Sequence, residues 1–155
     1  MSNSFEIEMA KVKSEFGSEI LRIDRSILGR RRDYNRRIVN IMMEYNEKRN
    51  SLEAQHLDLK LKLNAMSDMK GRLALMNLMA ENERNQRHCE ENHRIRMKQE
   101  KDELSFSVEE LNINKRQLSQ YMDVRLTEIQ TRYVEWIESR KTEPSTEKKC
   151  GNEEV

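Results

Sequence analysis

Residues 5–45, FEIEMAKVKSEFGSEILRIDRSILGRRRDYNRRIVNIMMEY, repeat an apolar pattern every eleven residues. Phe5, Met9 and Val12 begin this pattern, which recurs as far as Tyr45 and is broken only by Arg31. Eleven residues over three turns keep the apolar side chains on one face of a nearly straight helix. The stretch therefore predicts a long amphipathic helix whose apolar stripe needs a partner helix.

From Ile38 onward the same stripe can be read as heptads, which is typical of a coiled coil. Lys48, Gln55 and Lys62 interrupt it at d positions, and polar residues there help to select register and partner. The register fails from Glu83 to Lys101 and resumes at Leu104. The predicted partner-binding seam consists of Phe5, Phe16, Ile20, Ile27, Ile38, Ile41, Tyr45, Leu52, Leu59, Met66, Met69, Leu73, Met76, Leu104, Leu111, Leu118, Ile129 and Trp136.

These changes divide the chain into four predicted segments. Residues 4–80 form the main coiled-coil segment, 81–103 a charged helical spacer or bend, and 104–140 a second coiled-coil segment. Residues 141–155, with Pro144 and Gly151, form a predicted disordered tail. A continuous helical rod and a helical hairpin both fit this pattern. The absence of Gly and Pro from 83–101 favours the rod.

The composition supports an extended helical protein. Charged residues make up 37% of the chain, hydrophobic residues 35% and aromatic residues 5%, which is too little apolar surface for a compact core. The single proline, Pro144, leaves the rest of the chain free to form helix. The predicted fold class is therefore all-α, an elongated coiled coil of one or two long helices.

The cysteines and the hydropathy predict the cellular setting. Cys89 and Cys150 do not suggest a disulfide framework, and no signal peptide is recognised. The longest apolar run, residues 73–80, is too short to span a bilayer. We expect an intracellular protein of the cytoplasm or nucleus that does not insert into membranes.

Motifs for catalysis and for cofactor binding are not found. The chain contains no phosphate-binding loop, no HExxH and no CxxC, and a thin helical assembly offers no dry pocket for a small-molecule substrate. His88, Cys89 and His93 resemble part of a zinc site, because Cys89 and His93 share a helix face. Charged neighbours favour a solvated surface instead. We predict no catalytic residue, no cofactor and no metal site.

An arginine-rich stretch lies between residues 22 and 37. Arg30, Arg31, Arg32, Arg36 and Arg37 are the predicted electrostatic contacts, either with a protein partner or with phosphates. These arginines wrap around a helix, and the net charge of the whole chain is only +1, so an acidic protein partner is favoured over nucleic acid.

The pattern as a whole predicts a structural coiled-coil subunit, not an enzyme. It would form homo- or hetero-oligomers and join or space partner proteins in a cytoskeletal, chromosomal or trafficking assembly. The alternative is a nucleic-acid- or chromatin-associated binder that uses the arginines of residues 22–37.

Overall fold

The computed structural model describes residues 2–142, and these form two long helices, α1 (Ser2–Ala65) and α2 (Met69–Thr142), without any strand. The predicted all-α fold is confirmed. Helix-favouring charged residues also pair along the helix surface, as Asp58 and Lys62 do at 3.0 Å. The predicted disordered tail, residues 141–155, lies outside the described residues except for its first two, which end α2. No apolar stretch within residues 2–142 is long enough for a bilayer-spanning helix.

The turn between the helices has a clear chemical cause. The Asp68 carboxylate accepts a hydrogen bond from the backbone N–H of Gly71 at 3.2 Å, which makes Asp68 the N-cap of α2. The Arg72 guanidinium donates to the carbonyls of Leu63 and Met66, at 3.2 and 2.9 Å, and so satisfies carbonyls freed where α1 ends. The expectation of a continuous helix through this region is therefore wrong, because capping groups on both sides stabilise a break.

Replacing Asp68 by alanine should destabilise the protein by about 1 kcal/mol, because the first turn of α2 would lose its side-chain acceptor. Urea unfolding followed by circular dichroism measures this change. Ser67→Ala is the matched control, since the Ser67 hydroxyl has no hydrogen bond within residues 2–142. Equal effects of the two substitutions would contradict the capping role of Asp68.

The chain divides into two compact units, of which unit 2 comprises Leu28–Val108. It is a helical hairpin, whose two antiparallel helices are joined by the turn at residues 66–68. Arg37 contacts Glu100 at 2.8 Å, and Glu44 contacts Arg96 at 2.8 Å. The buried side chains of unit 2 are Ile41, Leu59 and Asn82.

One of these ion pairs makes a pH-dependent contribution to stability. The hydrogen bond from Arg96 lowers the pKa of the Glu44 carboxyl, and the charge of Arg96 adds to the effect. A carboxyl whose pKa is lower in the folded state stabilises the fold above its unfolded pKa, and this contribution is lost as the pH falls through the folded value. Both side chains are about half exposed, so solvent keeps the contribution small.

The other unit, unit 1, consists of Met1–Ile27 and Glu109–Val155. Its described helical segments are also antiparallel. Glu8 pairs with Arg132 at 2.6 Å, while Asp24 pairs with Lys115 at 2.9 Å. Among its described residues, the buried side chains are Val12, Ile27 and Ile129. Each unit therefore packs its helices around a narrow core.

An aromatic cluster packs at one end of unit 1. The ring of Phe5 meets Tyr133 edge-on, with 5.2 Å between centroids, and lies 5.9 Å from the Trp136 ring. The guanidinium of Arg140 lies 4.8 Å from the centroid of Trp136, within the range of a cation–π contact. These contacts hold the beginning of α1 against the last turns of α2.

Candidate partner-binding surfaces

Most of the predicted seam residues pack between α1 and α2 within their own unit. Four of them, Ile27, Ile41, Leu59 and Ile129, are buried. The chain's own second helix therefore supplies a partner for the apolar stripe, and the role of these residues toward another protein stays a prediction. The half-buried members are Phe5, Phe16, Ile20, Ile38, Tyr45, Leu52, Leu104, Leu111, Leu118 and Trp136.

The remaining predicted seam residues lie exposed around the turn of unit 2. Met66, Met69, Leu73 and Met76, which we call the turn patch, range from 36% to 71% exposed. The last three follow each other at helical spacing and share one face of α2. Met66 folds over the first turn of α2, with its sulfur 2.8 Å from the point where a Cβ on Gly71 would lie. The turn patch is thus an apolar surface that the described residues leave uncovered.

A change of helix phase explains the turn patch. The predicted heptad register ran unbroken from Ile38 through Met76, whereas the structure interrupts the helix at residues 66–68. After this break the positions expected in the seam rotate outward, and Leu75 and Met79 become half-buried in their place. The predicted register was therefore wrong over the first turns of α2, because it assumed one continuous helix.

The same change of phase alters the predicted spacer, residues 81–103. This segment is helical throughout, so the alternative that placed the bend there is wrong. Its inward positions are mostly uncharged. Asn82, Gln86, Cys89, His93, Met97 and Glu100 are buried or half-buried. The seam of unit 2 therefore continues through this segment with mostly polar, uncharged side chains, and its role as a spacer stays a prediction.

Asn82 is the centre of a polar network in this seam. It is 3% exposed, and its amide nitrogen donates to the Leu52 carbonyl at 3.1 Å and to Gln55 Oε1 at 3.2 Å. Its amide oxygen accepts a hydrogen bond of 2.7 Å from Gln86 Nε2. A buried amide with both of its ends satisfied constrains how two helices can pair, because a shift in register would leave it without partners.

The residues that resembled part of a metal site also lie near the seam. Cys89 and His93 are half-buried, and the imidazole of His93 stacks on the Tyr45 ring with 4.0 Å between centroids. The expectation that Cys89 and His93 lie on a solvated surface is therefore wrong. His88 is exposed. No group of three or more possible metal ligands occurs in the part of the chain that the structure describes. The arrangement supports packing between α1 and α2.

The predicted arginine contacts are divided between two environments. Arg30 donates a hydrogen bond to the Ser107 hydroxyl, and Arg37 pairs with Glu100 on α2. The hydrogen bond that Arg37 donates to Glu100 raises the pKa of Arg37. In contrast, Arg31, Arg32 and Arg36 are exposed and form no ion pair within residues 2–142. Part of the arginine-rich stretch thus serves the hairpin of unit 2, and the rest projects into solvent.

A second apolar stripe, which was not among the predicted seam residues, lies on α1 in unit 2. Leu28, Val39, Met43 and Leu57 are each more than half exposed, and Met42 nearly so. They recur at spacings that place them on one side of the helix, away from the side that packs on α2. The positions of this stripe, which we call the outer face of α1, are Leu28, Arg32, Asn35, Val39, Met42, Met43, Asn46, Asn50, Glu53 and Leu57.

The signal for the outer face was present in the sequence. In a chain with 37% charged residues, charges occur on this face only at Arg32 and Glu53. The inward stripe uses the same residue types, so residue type alone does not distinguish the two stripes. No protein-family model matches the chain, and comparisons with curated proteins and with solved structures found no match either.

Proposed function

We propose that the protein is a structural coiled-coil subunit that oligomerises and joins or spaces partner proteins in a larger intracellular assembly, of the cytoskeletal, chromosomal or trafficking kind. The observation that carries this proposal is the apolar surface left over after each unit has paired its own helices. Met69 is 71% exposed and Leu73 55%, on one face of α2. Exposed apolar groups arranged at helical spacing, unlike scattered single ones, are typical of a site that binds another helix.

The turn patch favours a helical partner with an apolar stripe. Its three methionines are flexible and polarisable, so they adapt to the shape of a partner helix. The end of a hairpin is also accessible, because the chain continues away from it in both directions. The cytoplasm or nucleus as the setting depends on the sequence argument from the two cysteines.

The proposal assigns no catalytic residue. Catalysis requires several side chains that converge in a concave and partly dry site. Each unit has only three buried side chains in the described part of the chain. Such a narrow core fits a protein whose surfaces bind other proteins.

The experiment for this proposal is recovery of the full tagged chain from its native cells with its stoichiometric partners. The test variant carries Met69→Glu, Leu73→Glu and Met76→Glu. We expect it to lose the partner at least about ten-fold, because burying a carboxylate in an apolar interface costs far more than the 1.4 kcal/mol that a factor of ten represents. Cross-linking of the recovered wild-type complex should place the partner near Lys70.

A matched control distinguishes the loss of the apolar turn patch from the general effect of three added negative charges. Asn85→Glu, Asn92→Glu and Gln99→Glu add the same three charges at exposed, uncharged positions of α2. We expect this variant to retain the partner, and circular dichroism should show equal helicity for all three proteins. Recovery of the wild-type chain with no stoichiometric partner would contradict the proposed function.

The alternative function is supported by one observation: Arg31, Arg32 and Arg36 are exposed and form no ion pair in the part of the chain that the structure describes. A nucleic-acid-binding protein would bind duplex DNA with a steep dependence on salt. Reversal of these three residues to glutamate would abolish that binding. The engagement of Arg30 and Arg37 with α2 and the net charge of +1 favour the structural role.

A further inference from the structure

The outer face of α1 has a spacing that is the same from either end. From Leu28 its positions follow at intervals of four, three, four and three residues to Met42, and from Leu57 the same intervals lead back to Met43. The centre of this pattern lies between Met42 and Met43. A helix face with such symmetry can pair with a copy of itself in the antiparallel direction, because each position then meets an equivalent one.

At four of the five pairs of positions, the residue types are complementary in the antiparallel arrangement. Leu28 would face Leu57 of the second copy, and Met42 would face Met43, so apolar groups meet at the ends and at the centre. Arg32 would face Glu53, which places opposite charges together twice in the dimer. The remaining pairs are Asn35 with Asn50 and Val39 with Asn46.

The charges decide between the possible orientations. Arg32 forms no ion pair within residues 2–142, and Glu53 pairs only with Arg49 of its own helix, at 3.4 Å. A parallel pairing would place Arg32 against Arg32 and Glu53 against Glu53, and like charges at such positions are destabilising. In the antiparallel pairing, Arg32 of each copy faces Glu53 of the other, so both contacts are attractive.

The polar residues of the face also fit this arrangement. An asparagine amide both donates and accepts, so Asn35 and Asn50 of two copies can satisfy one another. Methionines at the centre can adjust to close packing near the two-fold axis. Beyond Leu28 the pattern ends, because Arg25 would fall opposite Lys60. The face covers residues 28–57, about 45 Å of helix at 1.5 Å per residue.

We propose that the outer face of α1 binds the same face of a second copy of this chain, in an antiparallel two-fold interface centred between Met42 and Met43. This inference rests on the proposed function, since it names one of the partners that a coiled-coil subunit joins. It uses a surface different from the turn patch. Two copies joined in this way leave both turn patches free for other partners.

The experiment measures self-association of the purified full chain by sedimentation equilibrium. Wild type should approach twice the 18.6 kDa of one chain. Arg32→Glu and Glu53→Arg alone should each weaken the dimer roughly ten-fold or more, because each turns two opposite pairs into two like pairs. The double variant, with both reversals, should regain the wild-type affinity, because it restores opposite charges at both sites.

The charge reversals also exclude other orientations. In a parallel dimer, wild type and all three variants would have like charges facing one another, so neither single reversal would weaken the association. A wild-type chain that stays monomeric at about 100 μM, single reversals without effect, or a double variant that is not restored would each overturn the interface. Equal helicity by circular dichroism confirms that every variant is folded.

Disulfide cross-linking provides a second, independent measurement. In a background with Cys89→Ser and Cys150→Ser, a mixture of Asn35→Cys and Asn50→Cys chains should form a disulfide-linked pair on oxidation. Asn35→Cys alone should not, because the two copies of residue 35 would lie about 22 Å apart along the axis. Efficient linkage of Asn35→Cys to itself would overturn the antiparallel arrangement.

The two proposals fail in different ways. A chain that dimerises when pure but recovers no other protein from cells would contradict the proposed joining of partners and support this interface. A chain that recovers a stoichiometric partner through the turn patch but stays monomeric when pure would contradict this interface and support the proposed function.

Discussion

Replacement of Ile129 by alanine should lower the free energy of unfolding by about 2–5 kcal/mol, the range for a buried large aliphatic side chain. Ile129 is 1% exposed and is the most completely buried large side chain of the described residues. A pair of helices has few such positions, so neighbouring side chains can supply little of the lost contact. The cavity left by the substitution should therefore remain largely unfilled.

Urea unfolding followed by tryptophan fluorescence measures this loss. The single tryptophan, Trp136, belongs to unit 1 and packs against Phe5 and Tyr133, so its emission reports on that unit. Protein concentration must be constant across variants, because association would stabilise the folded state. Ile113→Ala is the matched control, since it makes the same chemical change on the same helix at a residue that is 42% exposed. A loss at Ile113 as large as that at Ile129 would contradict the assigned core.

The helices and the inward face of α1 could be predicted because a long helix depends on local properties. The periodic apolar side chains and the absence of proline before Pro144 do not depend on distant contacts. Ile41 and Leu59, for example, were assigned to the inward face from spacing alone, and both are buried. A helix face is determined by intervals of three and four residues, whatever partner eventually covers it.

The reversal of the chain was harder to predict. The sequence predicted an unbroken segment over residues 4–80, whereas α1 ends at Ala65 and α2 begins at Met69. Asp68 and Arg72, which stabilise the break, are both compatible with a helix interior. The decisive interactions join Arg72 to carbonyls up to nine residues away, and these appear only when the chain has turned.

The error in register followed from the missed reversal. A three-residue break changes the rotational phase of every later position, so the positions expected inward at Met69, Leu73 and Met76 are exposed. The prediction agrees with the structure again at Leu104 and Leu111, where strong apolar spacing resumes. Polar residues between them, such as Gln86 and His93, carry too little hydrophobic signal to reveal the inward face.

The arginine-rich stretch shows a similar limit. The net charge predicted a contact with an acidic partner protein, which stays a prediction, whereas Arg37 pairs with Glu100 of the same chain. Sequence alone does not distinguish a partner in another molecule from one that folds back. Arg32 can be assigned to an intermolecular contact only from its exposed position on the outer face, away from the inward stripe.

Asn82→Leu should raise the thermal stability of unit 2, whereas Asn82→Ala should lower its unfolding free energy by about 1–3 kcal/mol. Alanine removes the three hydrogen bonds to Leu52, Gln55 and Gln86 and leaves space in the seam. Leucine fills the space with an apolar side chain of similar length. An asparagine in a helix seam costs stability, and its advantage is to fix register and partner.

The gain in stability from leucine should therefore be accompanied by a loss of specificity in how the helices pair. Without the amide network, the helices of unit 2 can pair in a shifted register or with a second copy, and sedimentation should show species of higher mass. Asn85→Leu, at an exposed position one turn further along α2, should change neither stability nor mass. If Asn82→Leu melts below the wild type and keeps the wild-type mass distribution, the network serves stability and not register. In that case, the pairing of α1 with α2 would depend on the turn at Asp68 and Arg72 and on the apolar seam alone.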